Sequence, residues 1–170
     1  MKNDNIPYVN LSFQWQSERK EILKILDKVI KTQDWVGGLE IEKFEKNITE
    51  LTGTKYAVAL NSGTDALTLG LSLMGVRRGD EVITTPNSFI ASAASIIHIG
   101  AKPIFVDVKP DQNIDTKLIE KKISKKTKAI MPVHLTGRIS DMKEIMNLSK
   151  KYKISVIEDA AQAIGSKYFD

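Results

Sequence analysis

The chain has 170 residues, is 42% hydrophobic and 27% charged, and carries a formal net charge of +4. That length predicts one domain with a real core, and that balance is ordinary for a soluble globular protein. The lack of cysteine excludes disulfides, thiolate metal sites and a cysteine nucleophile, and it fits a reducing compartment.

The opening Met1-Lys2-Asn3-Asp4-Asn5 has no apolar core behind it and does not read as a secretory signal. The most apolar stretch, 89–101, is too short for a membrane span and is broken by Ser92, Ser95 and His98. We therefore expect a cytoplasmic protein with no membrane partner.

Residues 6–11 read as a short extended lead-in. From Ser12 to Lys31 the pattern is helical, with Ile22, Ile25, Leu26, Val29 and Ile30 on one face. Trp35-Val36-Gly37-Gly38 breaks that helix; the glycine pair serves either a connector or a close backbone approach to a partner. A second helix carries Ile41, Phe44, Ile48 and Leu51, and Thr52-Gly53-Thr54 stops it.

Strand and helix then alternate. Strands are expected at 56–60, 81–84, 103–108, 128–133 and 154–157, and helices at 66–74, 88–99, 116–123 and 141–150. Five strands joined by helical crossovers predict an α/β fold, a mainly parallel sheet with helices on both faces. Six lysines fall between Lys117 and Lys128. They could form an anion-binding patch, but no aromatic residue is interleaved for base stacking. A solvated helix face with a cationic last turn is the simpler reading, and no nucleic-acid partner is expected.

The chemistry concentrates at strand ends, where open α/β sheets place their ligands. Asn61-Ser62-Gly63-Thr64-Asp65 opens a helix, so its free N–H groups and dipole make a phosphate cradle, with Gly63 allowing close approach. The same residues also serve as an ordinary N-cap through Ser62 or Thr64. Phe89 presents a ring to a planar ligand or packs in the core. His134 lacks an obvious orienting carboxylate nearby in sequence. With only His98 and His134, a histidine-based metal site is not expected. Glu158 and Asp159 follow the last strand, and alternation sends them to opposite faces, so one can wall a pocket while the other cannot pair with it there. Small residues Ala160, Ala161 and Ala163 leave room beside Gln162. An anion cradle, an aromatic plate and a carboxylate together describe a site for pyridoxal 5'-phosphate, whose ring acts as an electron sink when an acid keeps its nitrogen protonated.

Six stretches then carry a resemblance: 62–67 (Ser-Gly-Thr-Asp-Ala-Leu), 79–84 (Gly-Asp-Glu-Val-Ile-Thr), 100–103 (Gly-Ala-Lys-Pro), 126–130 (Lys-Thr-Lys-Ala-Ile), 132–135 (Pro-Val-His-Leu) and 156–163 (Val-Ile-Glu-Asp-Ala-Ala-Gln-Ala). In order and spacing the chain resembles the DegT/DnrJ/EryC1/StrS family of pyridoxal-phosphate-dependent nucleotide-sugar aminotransferases, of the aspartate aminotransferase fold type. The resemblance implies that Ser62, Gly63 and Thr64 bind the phosphate, Phe89 stacks on the ring, Asp159 pairs with the pyridine nitrogen and Gln162 lies near the phenolic oxygen. It implies amino transfer, usually from glutamate, to a nucleotide-linked keto-sugar in amino-sugar and cell-surface polysaccharide biosynthesis, by a homodimer with sites at its interface. Thr136 and Arg138 depart from the family, where tyrosine and glutamine are common. The family's Schiff-base lysine follows a Phe-Ser-Phe-like strand that this chain does not contain, and Lys167 precedes that point. Residues 1–170 are thus expected to be the N-terminal part of the cofactor-binding large domain, with 1–54 a helical segment, 55–170 the sheet region, and the small C-terminal domain absent. The isolated chain is expected to be weakly active or inactive. Two strands missing from the sheet would leave 56–60 without neighbours. A sugar dehydratase of the same family, with histidine replacing the lysine, and a non-catalytic regulatory module with the same fold are the alternatives.

Overall fold

The computed structural model describes residues 6–33 and 35–168. They fall into two compact units, divided after Ala59.

The first unit holds α1 (Leu11–Thr32) and α2 (Leu39–Thr52). Asn10 starts α1 by accepting the Phe13 N–H through its side chain at 3.0 Å. Gly53 ends α2 in the left-handed region, φ 71°, with its N–H on the Thr49 carbonyl. The predicted apolar stripe of α1 forms, but Ile22, Ile25, Leu26 and Ile30 are all exposed. Residues 56–60, expected as a strand, are not one, and Tyr56, Val58 and Leu60 are exposed. Alternation alone does not make a strand; the backbone must also find a ladder partner. The Ala59 N–H instead reaches the Glu45 carboxylate at 2.7 Å.

The second unit contains the sheet. Four strands, β1 (Glu81–Thr84), β2 (Lys102–Phe105), β3 (Thr127–Ile130) and β4 (Ser155–Val156), pair in parallel in the order β2-β1-β3-β4. Parallel neighbours demand crossovers, and these are α4 (Ile90–His98), α5 (Thr116–Ile119) and α6 (Met142–Tyr152), with α3 (Gly63–Leu73) preceding β1. Successive strand residues face opposite ways. Val82 and Ala129 therefore pack with Leu67 and Leu71 of α3 and Ile96 of α4. Ile83 and Ile130 pack with Ile119 of α5 and Ile145 of α6. Helices cover both faces, as the sequence predicts. No helix among the described residues is long and apolar enough to cross a membrane.

The structure departs from the predicted ranges after β2, after β3 and in α5. The strands expected at 103–108 and 128–133 end sooner, at Phe105 and Ile130. Beyond Ile130, Pro132 has no N–H to give the ladder. There an isolated bridge, Val133 to Asp159, ties the strand ends together, through Asp159 N–H to the Pro132 carbonyl (2.9 Å) and His134 N–H to the Asp159 carbonyl (3.0 Å). The expected helix at 116–123 is one α-turn followed by a 3₁₀ turn at Glu120–Lys122. Beyond it the Ser124 N–H bonds the Thr127 hydroxyl at 2.9 Å, a local closure that competes with further helix. The lysine run therefore lies on no single helix face; only Lys117 is on α5, although all six lysines are exposed.

Asp141 caps α6, accepting from the Glu144 N–H and, at 2.7 Å, from the Tyr168 hydroxyl. The tyrosine hydroxyl is the main cause holding this carboxyl below its ordinary value. A carboxyl depressed by folding adds stability above its unfolded value, and that contribution is lost as pH falls through the folded one. Asp141→Ala should therefore cost about 1 kcal/mol at neutral pH. In urea titrations the gap to the parent should narrow below about pH 4, near the unfolded aspartate value.

Candidate functional site

Beyond the carboxyl ends of β1, β3 and β4 lies a cavity of about 320 Å³, a size typical of small-molecule sites, roughly 300–1,000 Å³. Ser62, Gly63, Thr64, Phe89, Asp159 and Gln162 all line it. The sequence places them in one expected site, and the parallel topology brings them together.

The Gly63 wall is built by α3. Ser62 is its N-cap, extended at φ −155°, and its hydroxyl oxygen accepts the Asp65 N–H at 3.1 Å. The capping reading and the cradle reading thus hold at once. With Asp65 capped and the Ala66 N–H on the Ser62 carbonyl, the Gly63 and Thr64 N–H groups sit in the first turn, where helices provide no backbone acceptor. A Cβ at Gly63 would meet nothing within 4 Å, so the space against this backbone is open.

Phe89 is the N-cap of α4 and 73% exposed, so it is a cavity wall and not a core residue. On the next turn of α4, Ser92 is 1% exposed and donates its hydroxyl to Asp159 Oδ2 at 2.6 Å. Ser88 Oγ lies 2.6 Å from Ser92 Oγ. Asp159 Oδ1 accepts only a long bond from the Ala161 N–H, 3.4 Å, among the described residues. Sequence reasoning missed Ser88 and Ser92; their spacing of four along a small-residue helix was the available signal.

Glu158 and Asp159 do diverge. Glu158 is not among the residues lining the cavity; its Oε2 lies 2.7 Å from Nε2 of His134, which is 2% exposed. The Ser140 N–H donates to His134 Nδ1 at 3.2 Å, so Nε2 carries the proton that Glu158 accepts. The orienting carboxylate that local sequence did not reveal is therefore Glu158, across the sheet. This pair holds down the loop after Pro132, from which Val133 and Leu135 line the cavity.

That loop also sets Gln162. Thr136 adopts the left-handed region, φ 55° and ψ 27°, an unusual place for a β-branched residue. Its N–H then donates to Gln162 Oε1 at 2.8 Å. With the amide oxygen engaged, the amide NH₂ of Gln162 remains as the donor end. No lysine, Lys167 included, is among the lining residues.

A family model described as the DegT/DnrJ/EryC1/StrS aminotransferase family matches residues 16–170. The chain belongs to the DegT/DnrJ/EryC1/StrS aminotransferase family. This DegT-family chain is 43% identical over 165 residues to the "Pleiotropic regulatory protein" of Geobacillus stearothermophilus, covering 96% of this chain and 44% of that one. It is 43% identical over 155 residues to the GDP-perosamine synthase of Caulobacter vibrioides, covering 89% and 40% respectively. Among solved structures, S. venezuelae DesV superposes with a TM-score of 0.91 at 35% identity, over 94% of this chain and 43% of that one. The fold is that of the family's aminotransferases, and the chain spans less than half the length of these relatives.

Proposed function

We propose that this chain supplies the cofactor-binding part of a pyridoxal-phosphate-dependent aminotransferase. The reaction moves an amino group from an amino acid, glutamate by family resemblance, to a nucleotide-linked keto-sugar in cytoplasmic amino-sugar and surface-polysaccharide synthesis. The observation that carries this reading is the meeting, in one cavity, of the α3 N-terminus, the Phe89 ring and the Asp159 carboxylate. The GDP-perosamine synthase relative supports the nucleotide-sugar class. The full protein is proposed to work as a homodimer, with 1–54 as its helical segment and 55–170 as its sheet region.

The residues fit the cofactor. Gly63 and Thr64 would hold the phosphate with main-chain N–H groups at the positive helix end, with the Ser62 and Thr64 hydroxyls alongside. Phe89 would stack on the ring, and Gln162 would donate its amide to the phenolic oxygen. Asp159 would keep a proton on the pyridine nitrogen. When bound, the protonated ring supplies the electron sink that amino transfer requires. The loop walls Val133 and Leu135 exclude water from one side, which strengthens each of these charge interactions.

The test is direct. Pyridoxamine 5'-phosphate, which needs no lysine to bind, should bind saturably as followed by its own fluorescence, and inorganic phosphate should compete. Absence of saturable binding would remove the reading, and binding that phosphate does not displace would remove the Gly63 cradle from it. Glutamate and a keto-sugar nucleotide should give little or no turnover with the 170-residue chain. They should turn over with a longer protein that adds the Phe-Ser-Phe-like strand and its lysine. A regulatory role is the second reading, favoured by the name of the Geobacillus stearothermophilus relative; it predicts a bound cofactor without turnover even in the longer protein.

A further inference from the structure

The Asp159 carboxylate is not held by its own strand. Its neighbours along the backbone give it one long bond, from the Ala161 N–H at 3.4 Å. Its short bond comes from another element, the Ser92 hydroxyl of α4 at 2.6 Å. Ser92 is almost fully buried, so water does not compete for that bond. A serine hydroxyl has one proton. With that proton on Asp159 Oδ2, the 2.6 Å contact between Ser92 and Ser88 must use the Ser88 proton. The three groups form a directed chain, Ser88 to Ser92 to Asp159, in which each bond strengthens the next.

We propose that Ser92 is a positioning residue that acts on the bound cofactor through Asp159, occupying Oδ2 so that Oδ1 is left to face the ring nitrogen. This rests on the cofactor reading above. The carboxylate is held in a single rotamer, since its other oxygen has a fixed partner. Without the Ser92 hydroxyl, Asp159 is free to turn away from the ring. The pyridine nitrogen then holds its proton less firmly.

The experiment compares the parent chain with Ser92→Ala and Ser92→Thr, using pyridoxamine 5'-phosphate labelled with ¹⁵N in the ring. Ser92→Ala removes a hydrogen bond to a charged group and should weaken binding by roughly tenfold or more. At saturating cofactor, its ring ¹⁵N resonance should move from the pyridinium position toward that of the free base. Ser92→Thr retains the hydroxyl and should restore the pyridinium resonance, whatever its extra methyl does to affinity. A merely structural role would change affinity without moving the resonance. The proposal is overturned if Ser92→Ala binds with a parental ¹⁵N resonance, or if Ser92→Thr behaves as Ser92→Ala while circular dichroism shows both folded. If the parent itself does not bind the cofactor, the cofactor reading fails first and takes this one with it.

Discussion

Asp159→Asn is expected to weaken pyridoxamine 5'-phosphate binding by about a hundredfold or more, with little change in the melting curve. The substitution keeps the shape and retains an oxygen that Ser92 can still donate to. It removes the negative charge that would face the protonated ring nitrogen. Breaking one partner of a sequestered charge pair costs about 3–5 kcal/mol, and each 1.4 kcal/mol is a factor of ten in affinity. The asparagine amide can also turn its NH₂ toward the ring, which favours the unprotonated nitrogen and works against the electron sink. Fluorescence titration measures the affinity and thermal melting reports the fold. Parental affinity in this variant would mean that Asp159 does not meet the cofactor, whatever the cavity holds.

The second large effect is on the sheet itself. Ile130→Ala should lower stability by about 2–5 kcal/mol, the range for removing a buried isoleucine side chain. Ile130 is fully buried, sits on β3 between β1 and β4, and packs in the cluster with Ile119 and Ile145. Domains are stable by only about 5–15 kcal/mol, so the loss is a large fraction of the total. At roughly 2–4 °C per kcal/mol for a domain of this size, the melting midpoint should fall by roughly 4–20 °C. Two residues after Ile130 comes Pro132, whose carbonyl accepts the Asp159 N–H. Excess pyridoxamine 5'-phosphate should therefore recover part of the midpoint, because a ligand that binds only the folded state shifts the equilibrium toward it. A midpoint within a degree of the parent would show that the β3 core is not packed as described.

The two variants probe different layers, and the sequence exposes those layers unequally. The apolar runs at 81–84 and 154–157 with helical stretches between them identify an α/β sheet, because period and length are local properties. Ser62-Gly63-Thr64 and Glu158-Asp159 stand out for the same reason: chemistry-bearing residues placed directly at predicted strand ends, in an order that resembles the DegT family. Residues 56–60 show where such reasoning stops. Their pattern suits a strand, yet a strand exists only when a neighbour takes its hydrogen bonds, and here the Ala59 N–H goes to a side chain. The helix expected at 116–123 fails for a related cause, since the Ser124–Thr127 closure lies outside any periodicity.

Alternation along one strand was enough to separate Glu158 from Asp159, and local composition was enough to mark the Gly63 turn, Phe89 and Gln162 as candidates. Their partners were decided by the folded sheet alone. Ser92 and Asp159 are 67 positions apart, and His134 and Glu158 are 24 apart. Such pairs depend on strand order, on where Pro132 opens the ladder, and on the turn that puts Thr136 against Gln162. Each of those is set by packing among distant segments, and neither the period of a local stretch nor its residue types encode it.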